Sequence, residues 1–138
     1  MAAWQINIST GTRTPIYRQI VDQVRLAAAT GVLPPGHALP SVRALAERLL
    51  INVNTVAKAF SELVRDGVLE SRQSLGYFVA PKRQMFSKAE RSRRLRQAAD
   101  AFVREAIFLD FTADEIQGVV EKSLTALEWD ARTMETSQ

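Results

Sequence analysis

The hydrophobic positions from Leu39 to Arg65 repeat at the spacing of two short helices joined by a tight turn. Ser41 follows a proline, so its hydroxyl is suited to cap the first helix, and Asn52 is suited to cap the second. Gly67 is placed to end the second helix in a left-handed conformation. The apolar positions are Val42, Leu45, Ala46 and Leu49 in the first helix, and Val56, Phe60, Leu63 and Val64 in the second.

The opposite face of the second predicted helix is polar, and its first turns carry short side chains that form hydrogen bonds. The recognition helix of a helix-turn-helix has this composition because its N-terminal residues meet base edges in the major groove. A helical hairpin with an ordinary solvated face fits the same pattern. The residues of this polar face are Asn54, Thr55, Lys58, Ser61, Glu62 and Arg65.

The chain before these helices predicts an opening segment and one further helix. Residues 4–9 alternate apolar and polar side chains, which is typical of an edge strand or an extended arm. Thr14 is expected to cap the next helix with Pro15 at its first position, and Gly31 is expected to end it. Leu39 follows a proline-rich loop and is expected to fill the core.

Two short runs after Gly67, residues 68–71 and 77–80, have the composition of strands. The five residues between them are enough for a hairpin loop, and a hairpin directly after a recognition helix is the wing of a winged helix. Its tip, with Arg72 and Gln73, is expected on the DNA backbone or in the minor groove. A plain hairpin that only closes the core is the alternative.

Residues 82–109 predict one long helix, although Ser87 and Glu90 form a capping box that marks a later start. Residues 112–128 predict a second helix, with a capping box of its own at Thr112, and the residues from 129 onward are expected to be frayed.

Both C-terminal helices carry an apolar stripe that neither can cover alone. A second copy of the pair is the simplest cover, which gives a four-helix dimerisation unit with an isologous interface. The alternative is a monomer whose helices fold back on the winged helix. The predicted dimerisation residues are Leu95, Ala99, Phe102, Ala106 and Leu109 in the first helix, and Ile116, Val120 and Leu124 in the second.

Composition excludes several classes of function. The chain has 138 residues and no cysteine, so disulfides and thiolate metal sites are excluded. No apolar run approaches the ~20 residues of a membrane span, and the N-terminus lacks a secretory signal, so a cytoplasmic protein without a membrane partner is expected. No nucleophile–base set, phosphate loop or metal cluster is visible, and His37 is interpreted as a loop residue. We therefore predict neither an enzyme nor a cofactor.

Charge is distributed unevenly along the chain. Residues 81–96 contain seven Lys or Arg and one Glu, whereas residues 97–138 contain three Lys or Arg and nine Asp or Glu. Residues 1–96 therefore carry a net positive charge, which suits a polyanionic partner. The basic run itself has two interpretations: a solvated helix face that pairs with the acidic second helix, or an extra contact with DNA phosphates.

Residues 15–80 also contain short motifs at fixed spacings. They are PIYRQI from Pro15, GVLPPG from Gly31, LPSVR from Leu39, LA from Leu45, NTV from Asn54, AF from Ala59, then Leu63, Gly67 and GYFV from Gly76. Together these motifs resemble the DNA-binding domain of the GntR family of bacterial transcription regulators. The resemblance implies that Arg43 contacts DNA and that Asn52, Asn54 and Thr55 open the recognition helix. It also places the tip of the wing at residues 73–76.

Two positions depart from the family pattern. Val53 stands where members often have arginine; it cannot donate to a guanine, but it can meet a thymine methyl. Ser74 stands where the wing usually has the first of two glycines. Residues 82–128 resemble the two-helix tail of the YtrA subfamily, which implies a dimer without the larger ligand-binding domain of other subfamilies.

We therefore predict a mainly α fold with a small β-hairpin (α+β), in which a winged helix-turn-helix at 1–80 precedes a helical dimerisation region at 81–138. The expected function is that of a homodimeric transcription repressor on an inverted-repeat operator in double-stranded DNA, with no effector assigned. The alternative is a winged helix that binds DNA without sequence preference, or docks a protein. The predicted DNA-binding residues are Ser41, Arg43, Asn52, Val53, Asn54, Thr55, Lys58, Arg72, Gln73, Ser74 and Gly76.

Overall fold

A computed structural model describes residues 4–127, and this part of the chain contains five α-helices and two β-strands. This composition confirms the predicted fold class, mainly α with a small hairpin. The chain divides into two compact units between Met85 and Phe86. The elements are α1 (Ile16–Ala29), α2 (Val42–Leu49), α3 (Val53–Arg65), β1 (Leu69–Arg72), β2 (Gly76–Val79), α4 (Lys88–Phe108) and α5 (Ala113–Ala126).

The first unit is built around the apolar faces of α1, α2 and α3. Phe60 of α3 lies at its centre with no exposed surface, and its ring meets the Tyr77 ring edge-on at 4.9 Å between centroids. Leu39 is buried in the core, as predicted. The other large, fully buried side chains are Ile20, Val21, Val24, Leu33, Leu45, Val56, Leu63 and Leu69.

The two strands form an antiparallel hairpin in which Leu69 pairs with Val79 and Arg72 pairs with Gly76. The other edge of β2 is also bonded. The Leu39 N–H donates to the Tyr77 carbonyl at 2.9 Å, and the Val79 N–H donates to the His37 carbonyl at 2.9 Å. The loop before α2 therefore acts as a third, short strand that ties the hairpin to the helix-turn-helix.

The N-terminal segment 4–9 is an extended arm rather than a strand, and two glutamines of α1 hold it. The Gln23 side-chain carbonyl accepts from the Asn7 N–H at 3.0 Å, and the Gln19 side-chain carbonyl accepts from the Ser9 N–H at 2.8 Å. Both glutamine amide groups also donate to the carbonyls of the same two residues. Because Gln19 and Gln23 are four residues apart, they share one face of α1.

The predicted cap of α1 is wrong. Pro15, not Thr14, is the N-cap, and no side chain accepts a hydrogen bond there. The Gln19 side-chain amide donates to the Thr14 carbonyl at 3.0 Å, so the same glutamine ties both the arm and the start of the helix to α1.

The long C-terminal helix α4 begins at Lys88, so a start at residue 82 is wrong. Ser87 is the N-cap and accepts a hydrogen bond from the Glu90 N–H at 3.1 Å, which favours the later start. The capping box is only half formed, because the Glu90 carboxylate binds Arg93 and Arg94 instead of returning to the cap.

Helix α5 begins with a complete capping box. The Glu115 N–H donates to the Thr112 hydroxyl at 3.2 Å, and the Thr112 N–H donates to the Glu115 carboxylate at 3.0 Å. The helix ends at Ala126, two residues before the predicted end at 128, and the predicted frayed end lies outside the described residues. No residue of α5 is buried. Within residues 4–127 no helix is long and apolar enough to cross a membrane.

Leu50 occupies the turn between α2 and α3 in a left-handed conformation with φ of 58°, and its side chain is 89% exposed. This conformation costs an L-residue about 1–2 kcal/mol, whereas a glycine there loses about 0.5–1 kcal/mol of chain entropy on folding. We expect Leu50→Gly to raise the free energy of unfolding by about 0.5–1 kcal/mol, measured by urea denaturation. Leu50→Ala is the control; it keeps Cβ and should change little. An equal gain in both variants would contradict the role of the backbone.

The ion cluster at the start of α4 predicts a dependence on pH. Hydrogen bonds from Arg93 and Arg94 lower the pKa of Glu90 from 4.5 to about 2. Because the folded pKa lies below the unfolded one, the stabilisation is complete above pH 4.5 and is lost as the pH falls through about 2. We expect the wild-type chain to be more helical than Glu90→Gln at neutral pH and equally helical near pH 2, measured by circular dichroism. A difference that persists in acid would contradict this assignment.

Candidate nucleic-acid interface

The N-terminus of α3 presents a short row of uncharged side chains. Asn52 is the N-cap, and its side-chain carbonyl accepts from the Asn54 N–H at 2.7 Å. Val53 and the Asn54 side chain are exposed, whereas Thr55 is half-buried. Within residues 4–127 no group binds the Asn54 side chain, so its amide keeps both donors and its acceptor available. The oxygen of Asn52 is committed to the cap, and only its amide nitrogen is available for another contact.

The start of α2 is arranged in the same way. Ser41 is the N-cap, and its hydroxyl accepts from the Ala44 N–H at 3.0 Å. Arg43 lies in the first turn, is exposed, and has no partner within the described part of the chain. An unpaired guanidinium beside the turn is suited to a phosphate or to a guanine edge.

The middle of α3 is less open than the sequence pattern suggests. The Lys58 ammonium lies over the Tyr17 ring of α1, 3.9 Å from its centroid. Glu62 forms an ion pair with Arg18 of α1 at 2.8 Å, and its side chain is only 16% exposed. Glu62 was expected on the outward polar face, and that expectation is wrong because α1 covers it. Arg65, farther along the helix, remains mostly exposed.

Sequence reasoning missed Tyr17 and Arg18 as partners of α3. The Arg18–Glu62 contact joins residues 44 positions apart, and neither helix has a local pattern that marks the pair. The two contacts brace α3 against α1 and orient Lys58, the one cation of its central turns.

The tip of the hairpin carries no cation. Gln73 and Ser74 are exposed, and Ser74 adopts a left-handed φ of 66°, a conformation that glycine adopts more readily than other residues. Gly76, with φ of 110°, is the first residue of β2.

Arg72 was expected at the hairpin tip, but it is the last residue of β1. Its guanidinium binds the Glu70 carboxylate at 2.7 Å and stacks over the Phe78 ring at 4.1 Å. Any contact of the tip with DNA therefore uses amide, hydroxyl and backbone groups.

The predicted dimerisation residues remain largely uncovered within one chain. Leu95, which lies on the apolar stripe of α4, is 73% exposed. Ala106 is buried and Ile116 is half-buried. The exposed members are Ala99, Phe102, Leu109, Val120 and Leu124.

Comparison with known proteins gives these surfaces a context. Residues 16–79 match the family model described as bacterial regulatory proteins, gntR family. The HTH-type transcriptional regulator YhcF of Bacillus subtilis is 34% identical over 102 residues, which cover 74% of this chain and 84% of that protein. The HTH-type transcriptional repressor YtrA of the same organism is 41% identical over 75 residues, or 54% of this chain. The chain spans 58% of the length of that repressor.

The crystal structure of a transcriptional antiterminator from Listeria monocytogenes EGD-e has a TM-score of 0.81 and 27% sequence identity, and it covers 91% of this chain and 94% of that one. These proteins are regulators of transcription, which confirms the prediction that the chain is not an enzyme. The family model and the extent of the match to YhcF show that the chain belongs to the GntR family of bacterial regulatory proteins.

Proposed function

We propose that the chain is a sequence-specific repressor of transcription that binds an inverted-repeat operator as a homodimer. The first unit binds DNA, and α4 and α5 of the second unit form the dimer. The observation that carries this proposal is the exposed N-terminus of α3, where Val53 and Asn54 stand outward on a capped helix. A regulator acts where the chromosome is, so we place the protein in the cytoplasm.

The exposed residues of α3 have side chains that distinguish bases. An asparagine can bond both N6 and N7 of adenine, and a valine can pack on the methyl group of thymine. Arg43, which has no partner in the described chain, supplies either a guanine contact or a phosphate contact beside them. Lys58 and Arg65 add positive charge along the same helix.

The state of α5 supports a dimer. It has 14 residues, none of them buried, and an isolated helix shorter than about 12–15 residues is marginal in water. Its apolar side chains and the stripe of α4 therefore need a cover. A second copy supplies the same two faces, and a two-fold axis then predicts a two-fold symmetric operator with half-sites about one helical turn apart.

We expect Arg43→Ala to weaken operator binding by about 1–3 kcal/mol and to relax the preference at one base pair of each half-site, if the residue reads guanine. The measurement is the affinity for a set of operators that vary at each position. Arg48→Ala is the matched control, because Arg48 is an exposed arginine of the same helix, in its last turn. If Arg43→Ala lowers the affinity for operator and for random DNA equally, Arg43 contacts a phosphate and does not read a base.

The test of the proposed function compares the DNA upstream of the protein's own gene with a shuffled control of equal length. Binding is measured at two salt concentrations, and the mass of the complex is determined. A dimer that holds the native fragment at least ~10³-fold more tightly, at both salt concentrations, is expected. Equal binding that collapses with salt would show non-specific association and would refute the proposal.

A further inference from the structure

The four cations in the first two turns of α4 fall into two pairs that differ in their partners. Arg93 and Arg94 bind the Glu90 carboxylate at 2.8 and 2.9 Å, and Arg94 also stacks on the Phe86 ring at 3.9 Å. Lys88 and Arg91 are exposed and have no hydrogen bond, ion pair or ring contact within residues 4–127. The single acid of this basic stretch is therefore already used by the first group.

The two unpaired cations of these first two turns, Lys88 and Arg91, lie on the face of α4 that carries the apolar stripe. Lys88, Leu95, Phe102 and Leu109 are seven residues apart, so they fall along one side of the helix, and Arg91 stands one turn from Lys88 on that side. The stripe is therefore basic in its first two turns and apolar from Leu95 onward. Glu90, Arg93 and Arg94 lie around the other side.

The length of α5 limits how far a partner's α5 covers this stripe. From Leu95 to Leu109 the apolar part rises about 21 Å, and the 14 residues of α5 also span about 21 Å. A partner's α5 packed on the apolar part therefore leaves Lys88 and Arg91 beyond its end. A helix–helix interface on the remaining turns would bury two like charges, which is unfavourable without acids.

The acids of α5 do not supply that compensation. Asp114 and Glu121 are seven residues apart and turned about 150° from Ile116, the centre of the apolar face of α5. Glu115 is engaged in the capping box at Thr112. When α5 packs through its apolar face, its acids point away from the helix it covers.

We propose that Lys88 and Arg91 form a second phosphate-binding surface, which holds the DNA backbone outside the sequence read by α3 and the wing. This rests on the proposed function for its biological setting, and it assigns the first two turns of α4 to double-stranded DNA. The short chain from Val79 to Lys88 tethers this surface to the hairpin, so the phosphates that it contacts would flank the sequence read by the first unit.

The test compares two double variants with the same change of net charge, Lys88→Gln/Arg91→Gln and Arg93→Gln/Arg94→Gln. The slope of log affinity against log salt is measured for each full-length dimer on DNA with flanks of at least ten base pairs. Four phosphate contacts per dimer predict that the first variant lowers the steepness of the slope by about 2–4, and that the second lowers it by less than about 1. Trimming the flanks should weaken the wild type and leave the first variant unchanged.

Equal slopes for the wild type and the first variant would overturn the inference, as would equal losses in the two variants, which would reflect overall charge alone. A first variant that dissociates into monomers would also overturn it, because the cations would then pair with acids of the other copy. Circular dichroism checks that both variants keep α4. Phosphate contacts do not depend on sequence, so the slopes can be compared on shuffled DNA even if the proposed operator preference fails.

Discussion

Replacing Phe102 with glutamate is expected to convert the proposed dimer to a monomer and to weaken operator binding by about 10²–10⁴-fold. Phe102 lies in the middle of the α4 stripe, between Leu95 and Leu109. A carboxylate at that position would be buried without a partner when a second copy packs on it, which is strongly unfavourable. The two half-sites would then be bound independently. Sedimentation and operator titration measure the two effects.

Phe108→Glu is the matched control for this change. Phe108 belongs to the same helix and is exposed, but it lies on the side of α4 away from the stripe, six residues along from Phe102. The control should remain a dimer with unchanged operator affinity. Dimers in both variants would show that the stripe is not the interface, and monomers in both would show that the interface is wider than the stripe.

Phe60→Ala is expected to lower the free energy of unfolding of the first unit by about 3–5 kcal/mol. The ring has no exposed surface and contacts Tyr77 of the hairpin edge-on, so its removal leaves a cavity where α3 meets the wing. Urea denaturation followed by far-ultraviolet circular dichroism measures the loss.

Leu75→Ala is the control for Phe60→Ala, because Leu75 is an exposed leucine at the hairpin tip and should change stability by less than about 0.5 kcal/mol. A loss below about 1 kcal/mol for Phe60→Ala would contradict its position at the centre of the core.

Most of the first unit follows from local patterns. The caps Ser41 and Asn52, the apolar spacing behind them and the stop at Gly67 depend on residues within a few positions of each other. Such interactions are readable because a helix repeats every 3.6 residues and a cap needs only its own first turn. The hairpin was predicted for the same reason, with each strand shifted by one residue.

The predictions that are wrong concern side chains whose position is set by a residue distant in the sequence or by a competing hydrogen-bond partner. Glu62 has the right spacing for an outward polar residue, but Arg18, from a helix far away in the sequence, binds and covers it. Arg72 was predicted at the hairpin tip, but its guanidinium binds the Glu70 carboxylate and stacks on the Phe78 ring, both on the strands. At the start of α4 two arginines compete with the cap for Glu90, so half of the capping box is lost. No spacing rule ranks such competitors.

The hydrogen bonds along both edges of β2 limit where the sequence of this domain can change in length. Because β2 bonds to β1 on one edge and to the loop before α2 on the other, an inserted residue within it would break pairings on two sides at once. Changes in length are therefore expected at the tip, residues 73–75, and changes of side chain are expected at the exposed start of α3. The hairpin and α3 would thus keep a constant spacing while the exposed side chains of α3 change. On the proposed function, redesign for a new operator would exchange α3 side chains alone and keep the alignment of the hairpin.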